Sequence, residues 1–182
     1  MFKKHILHIC ALLLTTCLLA LTNIQSDTNL MGWDNIQTDL NPALGVKRAY
    51  YSVWEEYQSF GLLAGMAHGS DLVRALGVVA LQLLLPDQLI RYVIHISLLL
   101  LGGIGTYVLL SIQLSRDREH RHTQLSALLG GIFYMLNWGT IQIFALPLEA
   151  FSYFIAFIPW FLWSILKIYQ AKTVSRKDYF VL

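Results

Sequence analysis

Polar residues interrupt this chain at only a few places, and the stretches between them are apolar nearly all round. The first apolar run is Ile6–Ile24, entered through Lys3, Lys4 and His5. A basic start before an apolar run also describes a secretory signal, but the exit "LTNIQSD" holds no small-x-small cleavage site. The expectation is an uncleaved signal-anchor. Three further runs, Gln88–Leu114, Leu125–Phe144 and Phe151–Tyr169, are long enough for a helix to cross about 30 Å of hydrocarbon. A fifth run, Leu72–Pro86, gives a helix of only about 22 Å and should not span. The pattern therefore predicts an all-α polytopic membrane bundle. It has four transmembrane helices, at about 6–24, 88–114, 125–144 and 151–169, and a large first outer loop at 25–87.

That loop carries its own period. Asn41-Pro42 reads as an N-cap followed by a first-turn proline. Val46, Tyr50, Val53, Trp54 and Tyr57 then recur at helical spacing, with Lys47, Ser52, Glu55 and Glu56 elsewhere on the wheel. An amphipathic helix rich in Tyr and Trp suits a membrane interface. After "GLLAGMAHGSD" turns the chain, Ser70 or Asp71 can cap a short apolar half-helix.

Composition supports the membrane reading. The 182 residues are 56% hydrophobic and 13% charged, where soluble domains average about 25% charged. Between Leu72 and Ser115 the formal charges are Arg74, Asp87 and Arg91 alone. A net charge of +2, without a basic tract interleaved with aromatics, is too small to imply a nucleic-acid partner, and none is expected. Basic clusters at Lys3–Lys4, Arg116–His122 and Lys167–Lys177 all face the same side if residues 72–86 do not cross. The expected topology is multi-pass in the cell membrane, with a cytoplasmic N-terminus and His120 and His122 in the cytoplasmic cluster.

Other features read as packing. Cys10 and Cys17 lie about 10 Å apart along a helix, too far for a disulfide, and suit small apolar packing positions. Gly102, Gly103, Gly105, Gly130 and Gly131 let helices approach closely. "GGIG" lacks the lysine and the strand of a phosphate loop. Trp138, Trp160 and Trp163 suit interface anchoring and packing, and Pro159 is expected to kink the fourth span.

The candidate chemistry is sparse. Asp34, just outside the first span, sits where a carboxylate can take a proton from a sugar hydroxyl while a lipid-linked donor lies in the membrane. From spacing alone a loop acid that caps a turn or is solvated is the leading reading. Asp39 precedes the Asn41 cap, where acids favour a helix start. Glu149 is the one acid between Glu119 and Asp178 and falls in an outer loop, on the side of Asp34. Arg91 suits a lipid-carrier phosphate, or snorkelling, or a pair with Asp87 at i,i+4. His95, one turn on, reads as packing. His68 near Asp71 is a metal or substrate candidate without a spacing motif. No HExxH, CxxC or Ser/His/Asp order is present.

Three stretches together resemble a known class: "GWDN" (Gly32–Asn35), "LLLPDQLIRYVIH" (Leu83–His95) and "ALPLEAFSYFIAFIPWFLW" (Ala145–Trp163). In this order they resemble the N-terminal part of GT-C membrane glycosyltransferases. The likeness is to the arabinofuranosyltransferase-like branch, related to alpha-(1→3)-arabinofuranosyltransferase. The resemblance implies a polyprenyl-phosphate sugar donor, a cell-envelope glycan acceptor and an outward-facing site. Asp34 would be the catalytic base and Glu149 a second acid. Arg91, Asp39 and His68 would lie on the substrate side. No cofactor is certain; a divalent cation, Mg²⁺ or Mn²⁺, would suit oxygen ligands. Members of the class continue for many more spans, so the chain is expected to be an N-terminal part, completed by its own remainder or a partner membrane chain. Two other readings stand beside this one: a transporter or lipid-flipping module, and a non-catalytic membrane assembly subunit.

Overall fold

A computed structural model describes residues 2–25, 28–30, 41–52, 54, 60–61, 71–115, 120–146 and 149–170. Every regular element among them is a helix: α1 (Phe2–Asn23), α2 (Pro42–Tyr50), α3 (Leu72–Gln82), α4 (Asp87–Leu114), α5 (His120–Leu136), α6 (Trp138–Ala145) and α7 (Glu149–Gln170). Within α1, α4 and α7 lie three segments long and apolar enough to cross a membrane, and α5 with α6 makes a fourth if the bent pair is one span. Their outward side chains are apolar, as on Leu7, Leu14, Leu21, Phe133, Phe154 and Phe161. The chain is thus an all-helical protein built for a membrane.

The fold divides into two compact units, residues 1–24 with 95–182, and residues 25–94. In the first unit, Leu12 of α1, Tyr107 of α4 and Ala127 and Met135 of α5 form the buried core. Glycine makes the close approach possible. A Cβ at Gly131 would sit 2.9 Å from the Gly103 carbonyl oxygen and 3.4 Å from Leu12 Cδ2, so three helices meet where α5 has no side chain. A Cβ at Gly105 would lie 2.6 Å from Trp160 Nε1. Its absence lets the indole lie on α4 and donate to the Leu101 carbonyl at 3.0 Å.

Four hydroxyls inside the spans are satisfied by their own helices. Thr15 and Thr16 donate to the carbonyls of Ala11 and Leu12, Thr106 to Gly102, and Ser164 to Trp160, at 2.9–3.0 Å. Each hydroxyl then needs no water, as a hydrocarbon surrounding demands.

Pro159 lies inside α7. Proline has no N–H, so the carbonyl four residues earlier, on Ile155, loses its usual helical donor. The Tyr134 hydroxyl of α5 donates to that same oxygen at 2.8 Å. One helix thereby supplies the bond that proline removes from another.

Three expectations are corrected. The third span is not one helix over 125–144: it breaks at Asn137, with a bend of 43° between its halves. Asn137 causes the break chemically. Its amide donates to the Tyr134 carbonyl at 2.7 Å, closing the end of α5, while its Oδ1 accepts from Thr140 N at 3.1 Å, opening α6. A capping side chain on an extended backbone competes with helix continuation. The interfacial helix is also shorter than its period suggested. α2 stops at Tyr50, and Trp54 lies outside it, with its indole against Gly61. That glycine has φ +98°, a left-handed backbone, and a Cβ there would overlap the ring. Finally, Cys10 and Cys17 are exposed on α1, so they face outward instead of packing inside the bundle.

The Asn41 cap stands as expected, accepting from Leu44 N at 3.2 Å. Asp71 occupies the N-cap position of α3 but makes no cap bond. It instead holds Arg74 through two bonds, at 2.6 and 2.9 Å. α3 is confirmed as a short apolar helix of 11 residues.

Candidate functional site

Asp34, Asp39 and His68 lie outside the described residues. Glu149 is the first residue of α7. Acids are common in the first turn of helices, where the helix dipole favours negative charge. A local structural reason for an acid at this position thus stands beside any functional one.

Arg91 and His95 occupy successive turns of α4, and each is buried, at 6% and 4% exposed. Arg91 belongs to the unit built from residues 25–94. In that unit α2 packs on α3, Tyr92 approaches Thr28 at 3.3 Å between hydroxyls, and Asp87 accepts from Gln82 at 2.7 Å. A guanidinium carries a delocalised positive charge and five N–H donors in a fixed fork. Enclosing one at the start of a membrane span is costly, and charges at such depths pair within the protein or serve function. His95 belongs to the other unit and meets the Phe144 ring edge-to-face at 6.0 Å. That contact fits the packing role read from the sequence.

Two polar groupings in the first unit were not foreseen. At the N-terminal end of α1, His5 Nδ1 and the Tyr107 hydroxyl share a 2.7 Å hydrogen bond, and the His8 ring stacks on Tyr107 at 5.7 Å. Tyr107 is nearly fully buried, so the two histidines cover the phenol at the end of the core. Nothing in the sequence links residues 102 positions apart. The second grouping is the break itself, where Asn137 Nδ2 also bonds Thr140 Oγ1 at 2.9 Å. Here a signal was present: "NWGT" places an Asn, a Gly and a Thr together inside an apolar run.

Among the described residues no three His, Cys, Asp or Glu side chains come together to hold a metal ion. The oxygen ligands suggested for Mg²⁺ or Mn²⁺ rest on Asp34, outside those residues, and on Glu149, described in its backbone alone. The chain finds no match among protein-family models, curated proteins or solved structures.

Proposed function

We propose that this chain is a GT-C-type membrane glycosyltransferase, similar in pattern to the arabinofuranosyltransferase-like branch. It moves a sugar from a polyprenyl-phosphate donor to a hydroxyl of a cell-envelope glycan. The reaction lies on the outer face of the cell membrane, with the N-terminus in the cytoplasm. Asp34 takes the acceptor proton, Glu149 is the second acid, and Asp39 and His68 lie on the substrate side.

The observation that carries this reading is Arg91, a permanent cation enclosed in the second turn of a 28-residue span. A lipid-linked phosphate enters from the bilayer, and the guanidinium fork matches its charge and geometry. A charge-assisted hydrogen bond is worth about 1.5–3 kcal/mol, or roughly 10–150-fold in affinity.

The experiment has two arms. Binding of a polyprenyl phosphate to the chain in lipid nanodiscs should weaken at least tenfold in Arg91→Gln. Sugar transfer by membranes carrying the protein should collapse in Asp34→Asn and fall in Glu149→Gln. Unchanged binding in the first, or unchanged transfer in both of the others, would sink the assignment.

The lipid-flipping reading gains from one observation, the break at Asn137, because transporters build their sites at broken helices. Donor appearing on the far leaflet of proteoliposomes, without glycan product, would favour it.

A further inference from the structure

We infer that α3 and the Leu83–Leu84 turn form a lipid-binding element, whose outer face takes the acyl chains of the leaflet at which α4 begins. This inference is independent of the transfer chemistry and needs only that α4 crosses a bilayer.

Length is the first argument. Eleven residues make a helix of about 16 Å, half of a hydrocarbon core of about 30 Å. α3 fits one leaflet and cannot fill two.

The distribution of side chains is the second. α3 packs against α2 and buries Ala75 and Val78, while α2 buries Ala49. The opposite face presents Val73, Leu76, Gly77 and Ala80 within an arc of about 100°. Val73 is 82% exposed, and Leu83 and Leu84, just past the helix, are 84% and 80% exposed. No charged residue interrupts this surface.

Polar pairing is the third. The polar side chains of α3 are Arg74 and Gln82. Arg74 is held by Asp71 through two bonds, and Gln82 donates to Asp87. The helix thus carries no unmatched charge toward its outer face. In hydrocarbon each unsatisfied polar group would cost several kcal/mol, and these two avoid that cost.

Continuity selects lipid over a second protein. Leu84 precedes the first residue of α4 by three positions, so the chain holds it within about 11 Å of that helix start. α4 has 28 residues and is about 42 Å long, some 12 Å more than the hydrocarbon needs. The chain therefore holds the apolar turn close to the end of α4 at which the span begins.

The test uses the full chain in proteoliposomes with Cys10→Ser and Cys17→Ser. Nitroxides are attached one at a time at Val73→Cys, Leu76→Cys and Leu84→Cys, with Lys47→Cys on α2 as the water-facing control. All four side chains are exposed, so the labels disturb no packed contact. Collisions with oxygen, which concentrates in lipid, should exceed those with a water-soluble nickel chelate several-fold at the first three sites and reverse at Lys47. Nickel collisions at residues 73, 76 and 84 equal to those at Lys47 would place the face in water. Immobilised spectra shielded from both reagents would place it against another polypeptide. Either result overturns the inference.

Discussion

Replacing Tyr134 with Phe removes one hydroxyl and leaves the ring in place, so its cost isolates the bond to the Ile155 carbonyl. Interhelical hydrogen bonds in membrane proteins average about 0.6 kcal/mol and reach about 1.7. This bond should lie toward the upper end. Its acceptor has lost its helical donor to Pro159, and a buried carbonyl left unsatisfied costs about 1–3 kcal/mol. We expect Tyr134→Phe to destabilise the protein by about 1.5 kcal/mol. In a Pro159→Ala background residue 159 regains an N–H, which can serve Ile155 O from within α7. The same Tyr134→Phe change should then cost about 0.5 kcal/mol, giving a coupling of about 1 kcal/mol. The double-mutant cycle removes the separate effect of filling the proline site with a smaller side chain. Reversible unfolding in bicelles, followed by a steric trap or by detergent titration, measures each corner. Equal costs of Tyr134→Phe in both backgrounds, within about 0.3 kcal/mol, would refute the idea that the hydroxyl replaces the missing amide.

Glycine substitutions should separate by their surroundings: Gly131→Ala forces a Cβ to 2.9 Å from the Gly103 carbonyl and should cost about 1–3 kcal/mol in the same unfolding assay. Gly77→Ala meets nothing within 4 Å on α3 and should be neutral or stabilising by up to about 1 kcal/mol. Asn137→Leu removes the caps on both sides of the break. The distance between spin labels at the exposed positions 129 and 141 should then lengthen and its distribution broaden; an unchanged distance would show that the 43° bend has another cause.

The sequence made the long apolar elements legible because a span must satisfy a length set by the bilayer, whatever its neighbours. The start and end of α4 fell within one residue of its apolar run. The Asn41 cap and the short α3 were equally readable, since both depend on local chemistry. The break at Asn137 was missed because apolar averaging over a window hides one capping side chain. The end of α2 at Tyr50 was missed because a helical period in the sequence does not mark where the backbone leaves the helix. The pairing of Tyr134 with Ile155 was half legible. Pro159 announces a free carbonyl, but only the packing of α5 on α7 names its donor. Of the candidate site, Arg91 was legible as a lone cation inside an apolar run, where snorkelling or a pair with Asp87 read ahead of a phosphate contact; its burial is what the structure adds. Asp34 and Glu149 drew their roles from the resemblance, since loop acids carry no spacing constraint of their own.

The contact between His5 and Tyr107 has a consequence in time. These residues are 102 positions apart. At a synthesis rate of about 5–20 residues per second, α1 waits roughly 5–20 seconds before its partner on α4 has been made. Its docking site on α5 comes later still. During that interval α1 must persist alone among lipids, without aggregating or being extracted. Its threonines are already bonded to its own backbone, and Leu7, Leu14, Leu18 and Leu21 point outward, so apart from Leu12 and the His5 contact little of it requires a partner. The first helix is built as a patient tenant of the bilayer, and the bundle assembles around it only once the glycines of α4 and α5 arrive.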